Sequence, residues 1–295
     1  MKAAPFEYSR PADIDEACAL LGGDEGARII AGGQTLVPMM AMRLSRPTRL
    51  IDVSRISALS YIREEDGHLA IGAATRQCVV ENDPIVATRM PLLAAVMPWI
   101  GHAATRARGT VGGSLANADP AAELALVAVT LDATLTYREA GRNGDIPASE
   151  FFIGPTITAL PMAACLMEVR FPIWRDGHIG VGFHEVSARR SDFAFVSAAA
   201  QVTVDEDGIC RRIAIGVGAV TDVPIRLERV EQELSGNRPD AARLRPAIEG
   251  ALADVDVTAD LHASAPYRRR VAATLALRAI TDALASAKQR GPDAC

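Results

Sequence analysis

Arg106 to Leu124 reads RARGTVGGSLANADPAAEL, and Ile29 to Pro38 reads IIAGGQTLVP. Each stretch runs through a Gly-Gly pair toward a hydroxyl residue: Gly32-Gly33-Gln34-Thr35 in the earlier one, Thr110-Val111-Gly112-Gly113-Ser114 in the later. Glycine lets a backbone take positive φ and come close to a ligand without a Cβ in the way. Successive N–H groups in such a turn form a concave nest suited to a phosphate. One such turn is ordinarily just a tight turn. Two, each with a hydroxyl as an added donor and the second followed by an acidic cluster, suit the two phosphates of a dinucleotide.

Composition bounds the rest. At 295 residues, the chain has the length of about two domains. Its 49% hydrophobic and 23% charged residues describe an ordinary globule. The formal net charge of −5 argues against nucleic acid as a partner, because a phosphate backbone needs a basic surface. The short basic clusters Arg189-Arg190 and Arg268-Arg269-Arg270 read as solvated faces. No apolar leader opens the N-terminus, and no uncharged apolar run is long enough for a transmembrane segment. Cys18, Cys78, Cys165, Cys210 and Cys295 lie far apart without CxxC spacing, so they read as buried thiols in a reducing cytoplasm and not as cluster ligands. The five histidines show neither HxxxH nor HExxH spacing, and no metal site is expected; His102 reads as a loop histidine satisfied by nearby backbone.

Periodicity predicts a helix carrying Ile14, Ala17, Cys18 and Leu21 on one face with Gly22-Gly23 ending it, then short strands at Arg28–Ala31 and Leu50–Val53. A hairpin is expected from Tyr61–Arg63 and His68–Ala73 across Glu64 to Gly67. Helices are expected from a Thr75 cap through Val80, from Pro84 toward Trp99, and from Pro120 to about Val129. Strands are predicted at Ala133–Tyr137, with a turn at Gly141 to Gly144, and at Leu166–Phe171, stopped by Pro172. After a boundary near Pro172 to Gly177, strands at Phe195–Val204 and Ile213–Val220 and a long helix from Tyr267 to Ala287 are expected.

The two glycine stretches, with DPAAEL after the second, resemble the FAD-binding medium subunit of the molybdenum hydroxylases, the family of carbon monoxide dehydrogenase and xanthine dehydrogenase. Ala148 to Phe152 before Gly154-Pro155, Glu168 to Pro172, Asp192-Phe193-Ala194 and Ser264 to Arg268 extend the resemblance over nearly the whole chain. It implies an α+β fold: a two-part FAD-binding domain of the vanillyl-alcohol oxidase type over residues 1–174, with subdomains of about 1–57 and 58–174, and a smaller antiparallel sheet-plus-helix domain over 175–295. It implies an electron-transferring oxidoreductase subunit that carries FAD. The molybdenum-pterin centre would sit on a large partner subunit and two 2Fe–2S clusters on a small one, in a heterotrimer commonly present twice.

By that resemblance the cofactor-binding residues are Ile29, Ile30, Ala31, Gly32, Gly33, Gln34, Thr35 and Leu36 in the first stretch. In the second they are Thr110, Val111, Gly112, Gly113 and Ser114, with Ile100, Gly101 and Leu166 beside the ring. Backbone donors for the diphosphate are expected from Gly32 to Thr35 and from Gly112 to Ser114. Valine at Gly33 or Gly112 is therefore expected to abolish FAD retention while leaving the fold largely intact. Ile29 to Ala31 read equally as strand core, and Asp119 equally as a helix N-cap. Glu123 is favoured by the helix dipole alone, and the resemblance adds contact with the cofactor. Glu185 aligns where some relatives have a lysine near the flavin; facing the ring, it would lower the flavin potential. No catalytic nucleophile is expected, because the cofactor performs the redox chemistry. A free-standing FAD reductase on the same fold, or a structural subunit that has lost FAD, are the alternative classes.

Overall fold

The computed structural model describes residues 2–175 and 177–289. Its first unit is a small three-stranded parallel sheet, ordered Glu7–Ser9, Arg49–Asp52, Arg28–Ile30. The helix Ile14–Gly22 covers it, opened by Asp13, whose carboxylate accepts from the Glu16 amide at 2.9 Å. Ala17 and Cys18 on the inner face of this helix pack with Ile51, Val53, Ile56 and Leu59. The strand Arg28–Ile30 is short because the glycines that follow carry the chain out of the sheet.

The second unit is a five-stranded antiparallel sheet, ordered Ile62–Glu65, His68–Gly72, Cys165–Pro172, Thr134–Glu139, Arg142–Pro147. Two hairpins differ from the sequence expectation in the same way. The turns are two residues long, Asp66-Gly67 and Ala140-Gly141, all at positive φ, so Glu64, Glu65, Asn143 and Gly144 belong to strands. Between the hairpins the chain forms a helical layer. The expected helix from Pro84 to Trp99 is broken at Met90 by Pro91 into Pro84–Arg89 and Pro91–Val96, followed by one tight turn at Met97–Trp99. Thr75 caps nothing; its hydroxyl exchanges hydrogen bonds with the backbone of Tyr61, and the helix runs Gln77–Asn82. Pro172 ends its strand as expected, as the last residue of the ladder, paired with His68.

The third unit is a four-stranded antiparallel sheet, ordered His178–Ser187, Ala194–Val204, Cys210–Gly218, Ile225–Arg226. The 25-residue helix Ala265–Gln289 lies along one face, burying Ala272, Ala276, Ala279, Ile280 and Ala283 against Val196, Ala198, Ala200 and Val202. The other face meets the helix Glu123–Thr130, every residue of which is buried. This helix starts three residues later than its Pro120 expectation. One apolar core therefore runs from Leu69 and Leu115 through Leu126 to Phe183 and Ala199, across the expected boundary between the domains.

The basic cluster at 268–270 is not a solvated face. Arg268 is 6% exposed and donates to the carbonyls of Phe195 and Ala219 and to the Asp260 carboxylate. Arg269 donates to the last carbonyls of the helix Ala241–Ala253. Cys18, Cys165 and Cys210 are buried and Cys78 is half-buried; Cys295 lies outside the described residues.

Candidate functional site

A chamber of about 770 Å³ opens between the first sheet and the second unit. Its size is that of a small-molecule or cofactor site. Ile29 to Leu36 form one wall; Thr110, Gly112, Gly113 and Ser114 form the wall opposite. Ile100, Gly101, Asp119, Glu123 and Leu166 complete the set that the sequence singled out. Two expected residues do not line it. Val111 is buried in the core, because its amide is drawn to the Thr75 carbonyl at 3.0 Å and its side chain turns inward. Glu185 lies on the third sheet with both carboxyl oxygens buried and does not line the chamber.

The two glycine stretches turn out to be different devices. In the first, none of the amides from Gly32 to Leu36 has an acceptor among the described residues. Gly33 sits at φ +68°, which reverses the chain and leads into the short helix Leu36–Ala41. Gln34 folds back so that Nε2 donates to the Gly32 carbonyl at 3.1 Å. A run of unpaired amides facing a cavity is a nest for anionic oxygens.

The second stretch is the first turn of a helix, Val111–Asn117, and not a loop. Its amides are already engaged. Gly112 donates to the Ala73 carbonyl at 2.9 Å, Gly113 to the Thr110 hydroxyl at 3.1 Å, and Ser114 to the Thr110 carbonyl at 3.1 Å. The expected backbone donors from Gly112 to Ser114 are thus committed within the chain. Thr110 is an N-cap, not a free donor. Gly112 is glycine because the helix abuts the strand: a Cβ there would overlap Ala73. Likewise a Cβ on Gly32 would overlap the Arg108 carbonyl, so the two stretches touch directly. Of the second stretch, Thr110, Gly112, Gly113, Ser114, Ala116 and Asn117 line the cavity, and Ser114 and Asn117 are the polar side chains among them not committed within the chain.

The remaining walls have identifiable supports. Arg106, paired with Glu81 at 2.7 Å, donates to the carbonyls of Ile100 and Gly101 at 3.1 and 2.9 Å and so fixes that bend. Leu166 and Cys165 reach the chamber at an irregularity in the ladder, where the register shifts between Leu166 and Glu168. Asp119 caps no helix; its carboxylate accepts from the Ala121 amide at 2.9 Å in a local turn. Glu123 is the first residue of its helix and is 9% exposed, and its burial, with Asp119 adding to it, pushes the carboxyl up to about 7. Burial pushes Glu185 up to about 8, with Glu123 the second cause. His102 is exposed, and its ring has no hydrogen-bond partner among the described residues, so the expected backbone satisfaction is not found.

Sequence reasoning missed Gln77, Asn117, Thr156, Leu160 to Met162, and the bend Ser191 to Phe193, all of which line the chamber. Asn117 had a signal: read as a helix, Gly113, Ser114 and Asn117 share a face. Gln77 had none, since only tertiary folding brings this buried residue to the cavity.

Two matches to known families follow the architecture. Residues 4–174 match the FAD binding domain in molybdopterin dehydrogenase, and residues 182–283 match the CO dehydrogenase flavoprotein C-terminal domain. The 6-hydroxypseudooxynicotine dehydrogenase complex subunit alpha of Paenarthrobacter nicotinovorans is 36% identical over 98% of this chain and 97% of its own. The carbon monoxide dehydrogenase medium chain of Hydrogenophaga pseudoflava is 31% identical over 95% of this chain and 97% of its own. Among solved structures, the Hydrogenophaga pseudoflava carbon monoxide dehydrogenase that lacks the Mo-pyranopterin moiety superposes with a TM-score of 0.93 at 31% identity, covering 97% of this chain and 99% of that one. Quinoline 2-oxidoreductase from Pseudomonas putida 86 gives 0.91 at 34% identity, with the same coverage. A chamber with an unpaired amide nest at one wall fits FAD on the chain's own geometry, and the matches span both structural parts of the molecule. The chain belongs to the FAD-binding subunits of the molybdenum hydroxylase family, oxidoreductase subunits whose flavoprotein fold it shares from end to end.

Proposed function

We propose that this chain is the electron-transferring flavoprotein subunit of a heterotrimeric hydroxylase. A small partner subunit delivers electrons from 2Fe–2S clusters, and a large partner subunit oxidises the substrate at a molybdenum-pterin centre. The observation that carries the reading is the unpaired amide run from Gly32 to Leu36 facing the chamber. FAD, when bound, would supply the redox chemistry between the partner clusters and a terminal acceptor.

The chain's own residues bind and orient. The Gly32–Leu36 amides would hold the diphosphate, with the Ser114 hydroxyl adding a donor from the opposite wall. Ile29, Ile30 and Ala31 would lie along the cofactor. Ile100, Gly101 and Leu166 would flank the ring, with Arg106 keeping the Ile100-Gly101 bend in place. Asp119 and Glu123 complete the acidic end. We divide the chain at 174/175, supported by the matched ranges 4–174 and 182–283. We assign the complex to the cytoplasm, where buried thiols such as Cys18, Cys165 and Cys210 stay reduced. No described helix is long and apolar enough to cross a membrane.

Purification from the native host tests this. The expected product is a complex of this chain with two others, carrying molybdenum, iron and sulfide, that releases one FAD per copy of this chain. A flavoprotein that purifies alone and turns over a substrate without partners would overturn the assignment, as would a colourless chain that takes up no FAD.

A further inference from the structure

The chamber has to hold a charged diphosphate almost without cations. Among its described lining residues Arg28 is the only basic one, and its Nη1 is turned to the carbonyls of Glu25 and Ala27 at 3.2 and 2.7 Å. Neutral donors must therefore carry the diphosphate, and the amides of Gly32 to Leu36 are one group of them.

A further neutral donor lies beside that nest. Gln77 is 4% exposed and lines the chamber. Its Oε1 is sealed from solvent without a partner; its Nε2 is not sealed and has no acceptor among the described residues. The little surface that this buried residue keeps therefore includes the amide nitrogen, and the chamber is the space on which it opens. Gly109 accounts for the orientation. Its carbonyl accepts from the Gln77 backbone amide at 2.9 Å, and a Cβ on it would stand 2.6 Å from Gln77 Oε1, so the oxygen rests against a bare Cα. A Cα hydrogen is a weak donor, which suits the carbonyl end of the side chain and leaves the NH2 for the chamber. Gly109 also meets the nest: a Cβ on Gly32 would stand 2.8 Å from the Gly109 Cα. One glycine thus links Gly32 to the Gln77 side chain. Packing alone gives no reason for a glutamine here, because an apolar side chain of the same length would fill the place without a sealed, unpartnered oxygen.

We infer that Gln77 is a cofactor-binding residue whose Nε2–H donates to an oxygen of the FAD diphosphate, beside the amides of Gly32 to Leu36. The inference rests on the FAD reading of the chamber. A phosphate oxygen is charged and only accepts, so an amide N–H directed at it makes a charge-assisted hydrogen bond, stronger than a neutral one.

The test is FAD binding to the full-length protein, purified from its host and freed of flavin, followed by flavin fluorescence and by phosphorus NMR of the bound diphosphate. Gln77→Met keeps the length of the side chain and removes the donor. It should raise the FAD dissociation constant about ten- to a hundredfold, the loss of one hydrogen bond to a charged group. The melting temperature of the flavin-free protein should hold or rise, because the sealed oxygen had no partner to lose. At saturation, the phosphorus resonances of bound FAD should be displaced from their wild-type positions. Gln77→Glu should bind FAD increasingly worse than wild type as pH rises, since its ionised form repels the diphosphate whereas its protonated form donates a hydrogen bond. An unchanged dissociation constant in Gln77→Met would overturn the inference. A weaker affinity with phosphorus resonances identical to wild type would overturn it too, by showing that the side chain acts away from the diphosphate. Should Gln77→Met fail to fold, Gln77→Glu decides: a deficit equal at every pH refutes the contact. A wild-type protein that takes up no FAD removes the FAD reading and this inference together, a result distinct from wild type and variant binding FAD equally well.

Discussion

Gly112 and Ser114 are two residues apart and do opposite jobs. Gly112 is a packing residue whose Cβ would overlap Ala73, so Gly112→Ala should cost about 1–3 kcal/mol of stability by overpacking. Gly112→Val would therefore damage the fold before it reported on FAD, against the sequence expectation that it leaves the fold largely intact. Ser114 faces the cavity half-buried with its side-chain hydroxyl uncommitted among the described residues. Ser114→Leu should leave the melting temperature near wild type yet weaken FAD binding by more than tenfold, by steric block and loss of a donor. Thermal melts and FAD titration of both variants separate the roles; equal losses of stability would show that Ser114 is also structural.

Two buried acids also shape stability at this scale. Glu123 and Glu185 both sit above their ordinary 4.5 in the folded chain, at about 7 and about 8. The folded state then holds protons that the unfolded state has released, so stability is highest below about 4.5 and declines as pH rises toward 8. For the nearly buried Glu123 the decline is on the order of 3 kcal/mol, and the buried carboxyl of Glu185 acts in the same direction. Glu185→Gln should raise the melting temperature of the apo chain above pH 8 by several degrees and leave it nearly unchanged near pH 5. A uniform shift at both pH values would mean that the carboxylate's charge is not the cause.

Among the elements, the helix Val111–Asn117 is held by its cap. Thr110 Oγ1 takes the Gly113 amide, and seven residues are too few to sustain a helix by propensity alone. Thr110→Ala should lose about 1 kcal/mol of stability. It should also cost FAD affinity, since the Ser114 wall depends on that turn. Thr110→Ser, which keeps the acceptor, should restore both in melts and titrations. The helix Leu36–Ala41 shows the opposite arrangement: Thr35, at its start, makes no side-chain cap, which leaves the preceding amides unpaired.

At the scale of the whole molecule, the chamber wall is built from segments far apart in sequence. The first sheet supplies the amide nest, the helical layer supplies Ile100-Gly101 and Ser114, and the third sheet supplies Ser191 to Phe193. FAD bound there would tie these parts together and bind only the folded chain. At a free concentration one hundred times its dissociation constant, it should add about 2.7 kcal/mol. The melting temperature should then rise by roughly 4–5 °C. Scanning calorimetry with and without FAD measures this, and an unchanged midpoint at saturating FAD would deny that FAD binds this chamber.

The sequence by itself determined the family, the cofactor class, most helices and strands, and seventeen of the nineteen expected chamber residues, because each of those signals is local. Gly-Gly turns, apolar alternation and the DPAAEL run are legible within a few residues of chain. Tertiary structure alone decided which glycines are free for a ligand and which are committed to packing. Whether the Gly112 amide is available depends on the Ala73 carbonyl, which lies thirty-nine positions earlier in the chain. It likewise decided that Arg268 is buried, that Gln77 reaches the cavity, and that Val111 and Glu185 do not. The raised acids Glu123 and Glu185 were beyond the sequence for the same reason: burial, not the residue types, pushes both up.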